Sequence, residues 1–110
     1  MLTLSSAIQP ANTTAVLVGA GAGTILRKIE ASNNAATAAY LKLYNSPPGT
    51  APTASDTPVL RLMIPAGNLI EVSYESLGFT QGCWYRVTRN LVDTDATAVV
   101  ANEVVINIYR

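Results

Sequence analysis

The chain carries seven carboxylates, one thiol and no histidine, and that inventory bounds its chemistry. Without histidine, Ser-His and Cys-His activation is closed, and so are most zinc sites. Cys83 lacks the neighbouring base that a thiol nucleophile needs. It falls in the alternating run Gly82-Cys83-Trp84-Tyr85-Arg86-Val87-Thr88, where a thiol behaves as a small core hydrophobe. Glycoside hydrolysis needs two facing carboxylates. Glu71 and Glu75 share a face of an extended segment but stand too far apart to read as a pair. Asp56, Asp93, Asp95 and Glu103 read as surface charges. Asp93-Thr94-Asp95 resembles the start of a calcium loop, but no glycine and no bidentate glutamate follow at the loop spacing, so a solvated turn is expected. Val16-Leu17-Val18-Gly19-Ala20-Gly21-Ala22-Gly23 resembles the opening of a dinucleotide-binding unit, which requires strand, G-x-G-x-x-G turn and helix. Thr24 stands at the third glycine position, and β-branched Ile25 and Ile29 follow, so a plain turn is expected. The expectation is a chain with no catalytic residue, no metal and no cofactor, and therefore no enzyme.

Composition points the same way. The 110 residues suit one domain, able to bury roughly 65% of its unfolded surface. Apolar residues make up 49% and charged residues 13%, the reverse of a disordered chain. Seven basic and seven acidic residues cancel, and the cations (Arg27, Lys28, Lys42, Arg61, Arg86, Arg89, Arg110) are scattered. Nucleic acid, which selects clustered Lys and Arg, is not an expected partner. A single cysteine forbids an internal disulfide, and the start lacks the basic region of a secretory signal, so a reducing cytosol is expected. The sequon Asn12-Thr13-Thr14 is set aside for that reason. No apolar run reaches the ~18–20 residues that span a bilayer, and no membrane partner is expected. A sparsely charged, neutral surface resists aggregation poorly; burying it in a permanent assembly is one remedy.

The elements that position these residues alternate with period two. Leu60, Leu62 and Ile64 oppose Val59, Arg61 and Met63; Ile70, Val72 and Tyr74 oppose Leu69, Glu71 and Ser73. Pro65-Ala66-Gly67 between them predicts a hairpin corner. Further strands are predicted over 13–19, 24–32, 37–45, 82–88 and 103–109. Asn33-Asn34 predicts a turn, and the proline-rich segment 46–58 a long loop. Alanines over 31–40 allow at most one helical turn. Residues 1–12, broken by Pro10, read as an extended N-terminal arm, and 13–110 as one domain. The pattern predicts an all-β fold: a single antiparallel β-sandwich or jelly-roll-like barrel of about seven strands.

Tyr40, Tyr44, Trp84 and Tyr109 suit a platform for sugar or for another subunit, and equally a sandwich core or rim. Beside them a longer pattern stands out. Ala39-Tyr40-Leu41-Lys42-Leu43-Tyr44-Asn45, then Ala51-Pro52-Thr53-Ala54-Ser55-Asp56-Thr57-Pro58-Val59-Leu60, Ile64-Pro65-Ala66-Gly67 and Gly78-Phe79-Thr80-Gln81-Gly82-Cys83-Trp84-Tyr85-Arg86-Val87-Thr88 resemble small proteins encoded among tailed-bacteriophage virion genes. The likeness runs from about residue 29 to the end, with Cys83 where an aliphatic residue is expected. It implies a β-sandwich structural component of a phage particle. The leading expectation is a capsid cement or decoration protein on the capsid exterior, assembled in the host cytoplasm. It would be a homotrimer bridging neighbouring subunits of the major capsid protein, with no small-molecule substrate. Its expected anchors are Leu2, Leu4 and Ile8 of the arm, Pro47 and Pro48 of the long loop, and Tyr40, Tyr44, Trp84 and Tyr109. The alternative is a tail, neck or fibre component, or a host-surface carbohydrate-binding module.

Overall fold

Each alternating ribbon forms a strand in the computed structural model, which describes residues 3–20 and 23–110. Among the described residues the strands are β1 (Leu4–Ile8), β2 (Val16–Ala20), β3 (Thr24–Asn33), β4 (Ala39–Asn45), β5 (Leu60–Ile64), β6 (Leu69–Phe79), β7 (Gly82–Thr88) and β8 (Val104–Tyr109). They form two antiparallel sheets, ordered β1-β8-β3-β6 and β2-β7-β4-β5. The pairs β1–β8, β2–β7, β3–β6 and β4–β5 are nested, as if one long hairpin centred on β4–β5 had been rolled over itself. Pairing of β3 with β8 and of β4 with β7 completes each sheet. This is the path of an eight-stranded jelly roll, within the predicted all-β class.

The eighth strand is β1, in the segment expected as an arm. Leu4 to Ile8 is extended, but it pairs with β8 along its whole length. Bonds from Thr3 N–H to the Arg110 carbonyl and from Gln9 N–H to the Val104 carbonyl carry the ladder past both ends. Leu2 and the centre of the glycine-rich turn, Gly21 and Ala22, lie outside the described residues.

The hairpin expected around Pro65-Ala66-Gly67 does not form. β5 pairs with β4 in one sheet and β6 with β3 in the other, so the corner carries the chain between layers. Asn68 N–H donates to the Pro65 carbonyl, and Gly67 takes φ 65°, a conformation open to glycine. Asn33 holds this corner against the parallel crossing after β3. Its buried amide Nδ2 donates to the carbonyls of Thr37 and Ile64, its Oδ1 accepts from Ala35 N–H, and its backbone N–H reaches the Asn68 carbonyl. A local reading cannot see that β3 and β4 already offer the partners that β5 and β6 take.

The core lies between the sheets. Ala39, Leu41 and Leu43 of β4 and Cys83, Tyr85 and Val87 of β7 face Leu26, Ile29 and Ala31 of β3 and Val104, Ile106 and Ile108 of β8. Each fully buried Leu, Ile or Val contributes about 1.5–3 kcal/mol. Gly82 sits where the 46–58 loop leaves the sheet: a Cβ there would lie 2.6 Å from the Ser46 carbonyl oxygen.

Candidate functional site

The two sheets differ on their outward faces. On the β2-β7-β4-β5 sheet, Tyr40, Lys42 and Tyr44 alternate outward on β4, and Trp84, Arg86 and Thr88 on β7. Strand alternation alone would expose all six. Instead Lys42, Tyr44, Trp84, Arg86 and Thr88 are buried. The two long loops, 46–59 and 89–103, supply the cover. Trp84 Nε1 donates to the Ser46 and Pro47 carbonyls at 3.1 and 3.3 Å. Lys42 Nζ donates to the Val92 carbonyl at 2.6 Å and Thr88 Oγ1 to the Asn90 carbonyl. Arg86 donates from Nε to the Thr13 carbonyl, from Nη1 to Tyr44 Oη and from Nη2 to the Asp95 carbonyl. Burial pushes the Lys42 ammonium below the usual lysine range, with Asp95 opposing the shift. These polar groups are fastenings for loops, because a buried donor must find an acceptor.

The 89–103 loop is tied by its own carboxylates. Asp93 grips Arg61 through two bonds of 2.5 and 2.6 Å, and the guanidinium holds that carboxyl below the usual range. Asp95 accepts from Asn90 N–H, Asn90 Nδ2 and Thr97 Oγ1. Glu103 pairs with Arg89, which also reaches the Thr37 and Ala38 carbonyls. The Asp93-Thr94-Asp95 motif thus serves loop closure, in line with the turn expected there.

On the β1-β8-β3-β6 sheet the outward face is bare. Its register sets three rows across the strands: Leu4, Tyr109, Lys28 and Ser73; then Ser6, Asn107, Glu30 and Glu71; then Ile8, Val105, Ser32 and Leu69. None of these residues is buried. The middle row is polar, with Ser6 Oγ donating to Asn107 Oδ1. Lys28 lies 3.2 Å from Glu71 and 5.4 Å from the centre of the Tyr109 ring. The outer rows carry apolar side chains: Leu4 is 51%, Ile8 59% and Leu69 62% exposed.

The expected anchors therefore separate into groups. Leu4, Ile8 and Tyr109 come together on the bare face. Tyr44 and Trp84 are Cα partners under the 46–59 loop; they present almost no surface and act as internal anchors, a correction to their reading as exposed contacts. Pro47 and Pro48 are exposed at the start of that loop, and Tyr40 is half-buried at its own end of β4. Cys83 is a core residue whose burial pushes its thiol up to about 12. Where a dinucleotide site needs a helix after Gly19, the chain forms strand β3.

Two groups escaped the sequence reading. The Asn33 staple was legible only as a turn, and the inward fate of Lys42 and Arg86 only as alternation. The available signal was the length of the two connections, 46–59 and 89–103, that follow these strands.

No family model matches the chain, and no curated protein matches it. Among solved structures, Tobacco streak virus coat protein is similar in a structure of its dimer, at 14% identity and a TM-score of 0.45, over 99% of this chain and 85% of that one. A second crystal form of the same coat protein gives 14% identity and a TM-score of 0.43, over 99% and 86%.

Proposed function

We propose that this chain is a structural virion protein, a capsid cement that fastens neighbouring major capsid subunits from outside the shell. The observation that carries the reading is the unequal finish of the two outer faces. One face is sealed by the chain's own loops, and the other presents apolar rows around a polar centre. Such a mixed patch suits a partner protein. A stable interface buries roughly 800 Å² per partner. The bare face supplies part of it. The outer edge of β1 can accept a partner's strand, and the exposed Pro47-Pro48 segment can add a contact. The proposed anchors are Leu4, Ile8 and Tyr109, with Tyr40, Pro47 and Pro48 at the far sheet.

Jelly rolls also serve as lectins and cupins. A metal-dependent cupin would draw on histidine, which the sequence lacks. A sugar module would offer Trp84 or Tyr44 as a flat platform, but both are enclosed. The proposed partner is a major capsid protein, the proposed assembly a homotrimer, and the site the virion exterior after assembly in the host cytoplasm.

Deleting the gene from the virus that encodes it tests the reading. Heads should burst at lower temperature or lower salt while adsorption stays normal. Stable heads with lost adsorption would instead assign the chain to tail, neck or fibre. Sedimentation should give a trimer at micromolar concentration; a monomer there overturns the trimer.

A further inference from the structure

A cleft of about 340 Å³ opens on the sealed side of the molecule, away from the bare face. Residues 13–15, leading into β2, form one wall and residues 51–54 of the long loop form the other, with Ala96 at one end and Arg86 at the floor. The walls are mostly methyl and methylene groups from alanines, Pro52 and threonines.

The floor carries an unbalanced charge. Arg86 is 2% exposed and directly opposite Lys42, which is fully buried. Among the described residues neither forms an ion pair; the pairs are Lys28–Glu71, Arg61–Asp93 and Arg89–Glu103. Lys42 reaches only the Val92 carbonyl, and Arg86 only neutral oxygens of Thr13, Tyr44 and Asp95. Asp95 faces the two cations from the loop, but its carboxylate is engaged by Asn90 and Thr97, and that of Asp93 by Arg61. Two cations beside one engaged carboxylate leave about one positive charge without a counter-charge. A guanidinium has five N–H donors, and three are used here.

The geometry points to a carboxylate-binding site in this cleft, with Arg86 as its floor. A planar carboxylate matches the remaining N–H donors of a planar guanidinium. The alkyl stem behind it meets the alanine and proline walls. A doubly charged phosphate fits less well, because the second cation, Lys42, is turned to the Val92 carbonyl. The carboxylate can belong to a free short-chain acid or to the end of a polypeptide. This inference is independent of the capsid reading: it uses the other side of the molecule and holds in any assembly that leaves the cleft open.

Titration of the full chain with sodium propionate, followed by amide and arginine side-chain NMR shifts, tests it. Saturable shifts of Thr13, Thr53, Ala96 and the Arg86 Nε–H are expected, with a dissociation constant on the order of 1 mM. Propionamide and sodium chloride at matched concentration should leave them unmoved. Acetyl-dialanine with a free terminus, against its amide, separates the sources: binding about tenfold tighter than propionate assigns the site to a chain end. Ala51→Leu fills the cleft from an exposed wall position without touching the guanidinium, and should weaken binding at least about tenfold with the rest of the spectrum unchanged. Equal shifts with propionamide, no saturation, or unaltered binding in a native-like A51L protein would each overturn the site.

Discussion

The two outer faces are built from the same kind of strand, and they end in opposite states. β4 and β7 alternate as β8 does, and as β3 does beyond its bulge between Leu26 and Lys28. Yet Lys42 and Arg86 on the first pair are buried, while Lys28 and Glu30 on the second remain accessible. The difference comes from outside the strands. Two long loops fold back over one sheet and need donors to satisfy their carbonyls. The charged side chains of β4 and β7 supply them. No described loop seals the other sheet, so its charges pair with each other and its apolar residues stay at the rim. A cation in a strand therefore reports a surface position only until the connections are known.

The strongest way to break the contrast is to remove a fastening from the sealed face. Arg86→Ala should lower stability by about 3 kcal/mol, because the buried Tyr44 hydroxyl and the partly buried Thr13 and Asp95 carbonyls lose their donor; urea unfolding reads this directly. Gly82→Ala acts at the hinge of the same cover. Its Cβ must push the Ser46 carbonyl, which also accepts from Trp84. A loss of about 2 kcal/mol is expected, with faster hydrogen exchange of the Ser46 backbone N–H and the Trp84 Nε1–H.

The layer shared by both faces can be tested by alkali. Burial raises the Cys83 thiol from 9.0 to about 12 in the folded chain. The unfolded chain thus loses its proton first. The stability this group contributes is complete below pH 9 and drains as the pH climbs through about 12. The slope is about 1.4 kcal/mol per pH unit for one such group. Tyr85 and Tyr74, also raised by burial, act in the same direction at higher pH. Urea midpoints measured from pH 8 to 11 should fall less steeply in Cys83→Ala than in the parent, whatever the offset between them.

The bare face should respond least. Ile8→Ser and Leu69→Ser are expected to shift stability by no more than about 0.5 kcal/mol, because both side chains are already more than half exposed. If the face is the proposed capsid contact, the same pair of substitutions should abolish retention on purified particles. Retention at the parental level would remove the face from the interface.

Much of the architecture was legible early, and for a plain reason. Leu41 and Leu43 flank Lys42, and Ile106 and Ile108 flank Asn107, and a strand with one apolar face accounts for that spacing. The absence of histidine and the isolation of Cys83 bounded the chemistry with equal directness. At the Pro65 corner, proline and glycine mark a reversal without marking which sheet receives the next strand. In sequence Leu4 to Ile8 looks like an arm because its partner, β8, is about a hundred residues away. The site was half legible: Leu4, Ile8 and Tyr109 reach the surface, while Trp84 and Tyr44 do not.

Local alternation by itself determined that this chain is a β protein with an apolar layer at its centre, since period two ties each side chain to one face of its strand. Tertiary structure decided which face of each sheet meets water. That choice depends on where the loops land and on whether their carbonyls find donors, and both are set by contacts between residues far apart in the chain.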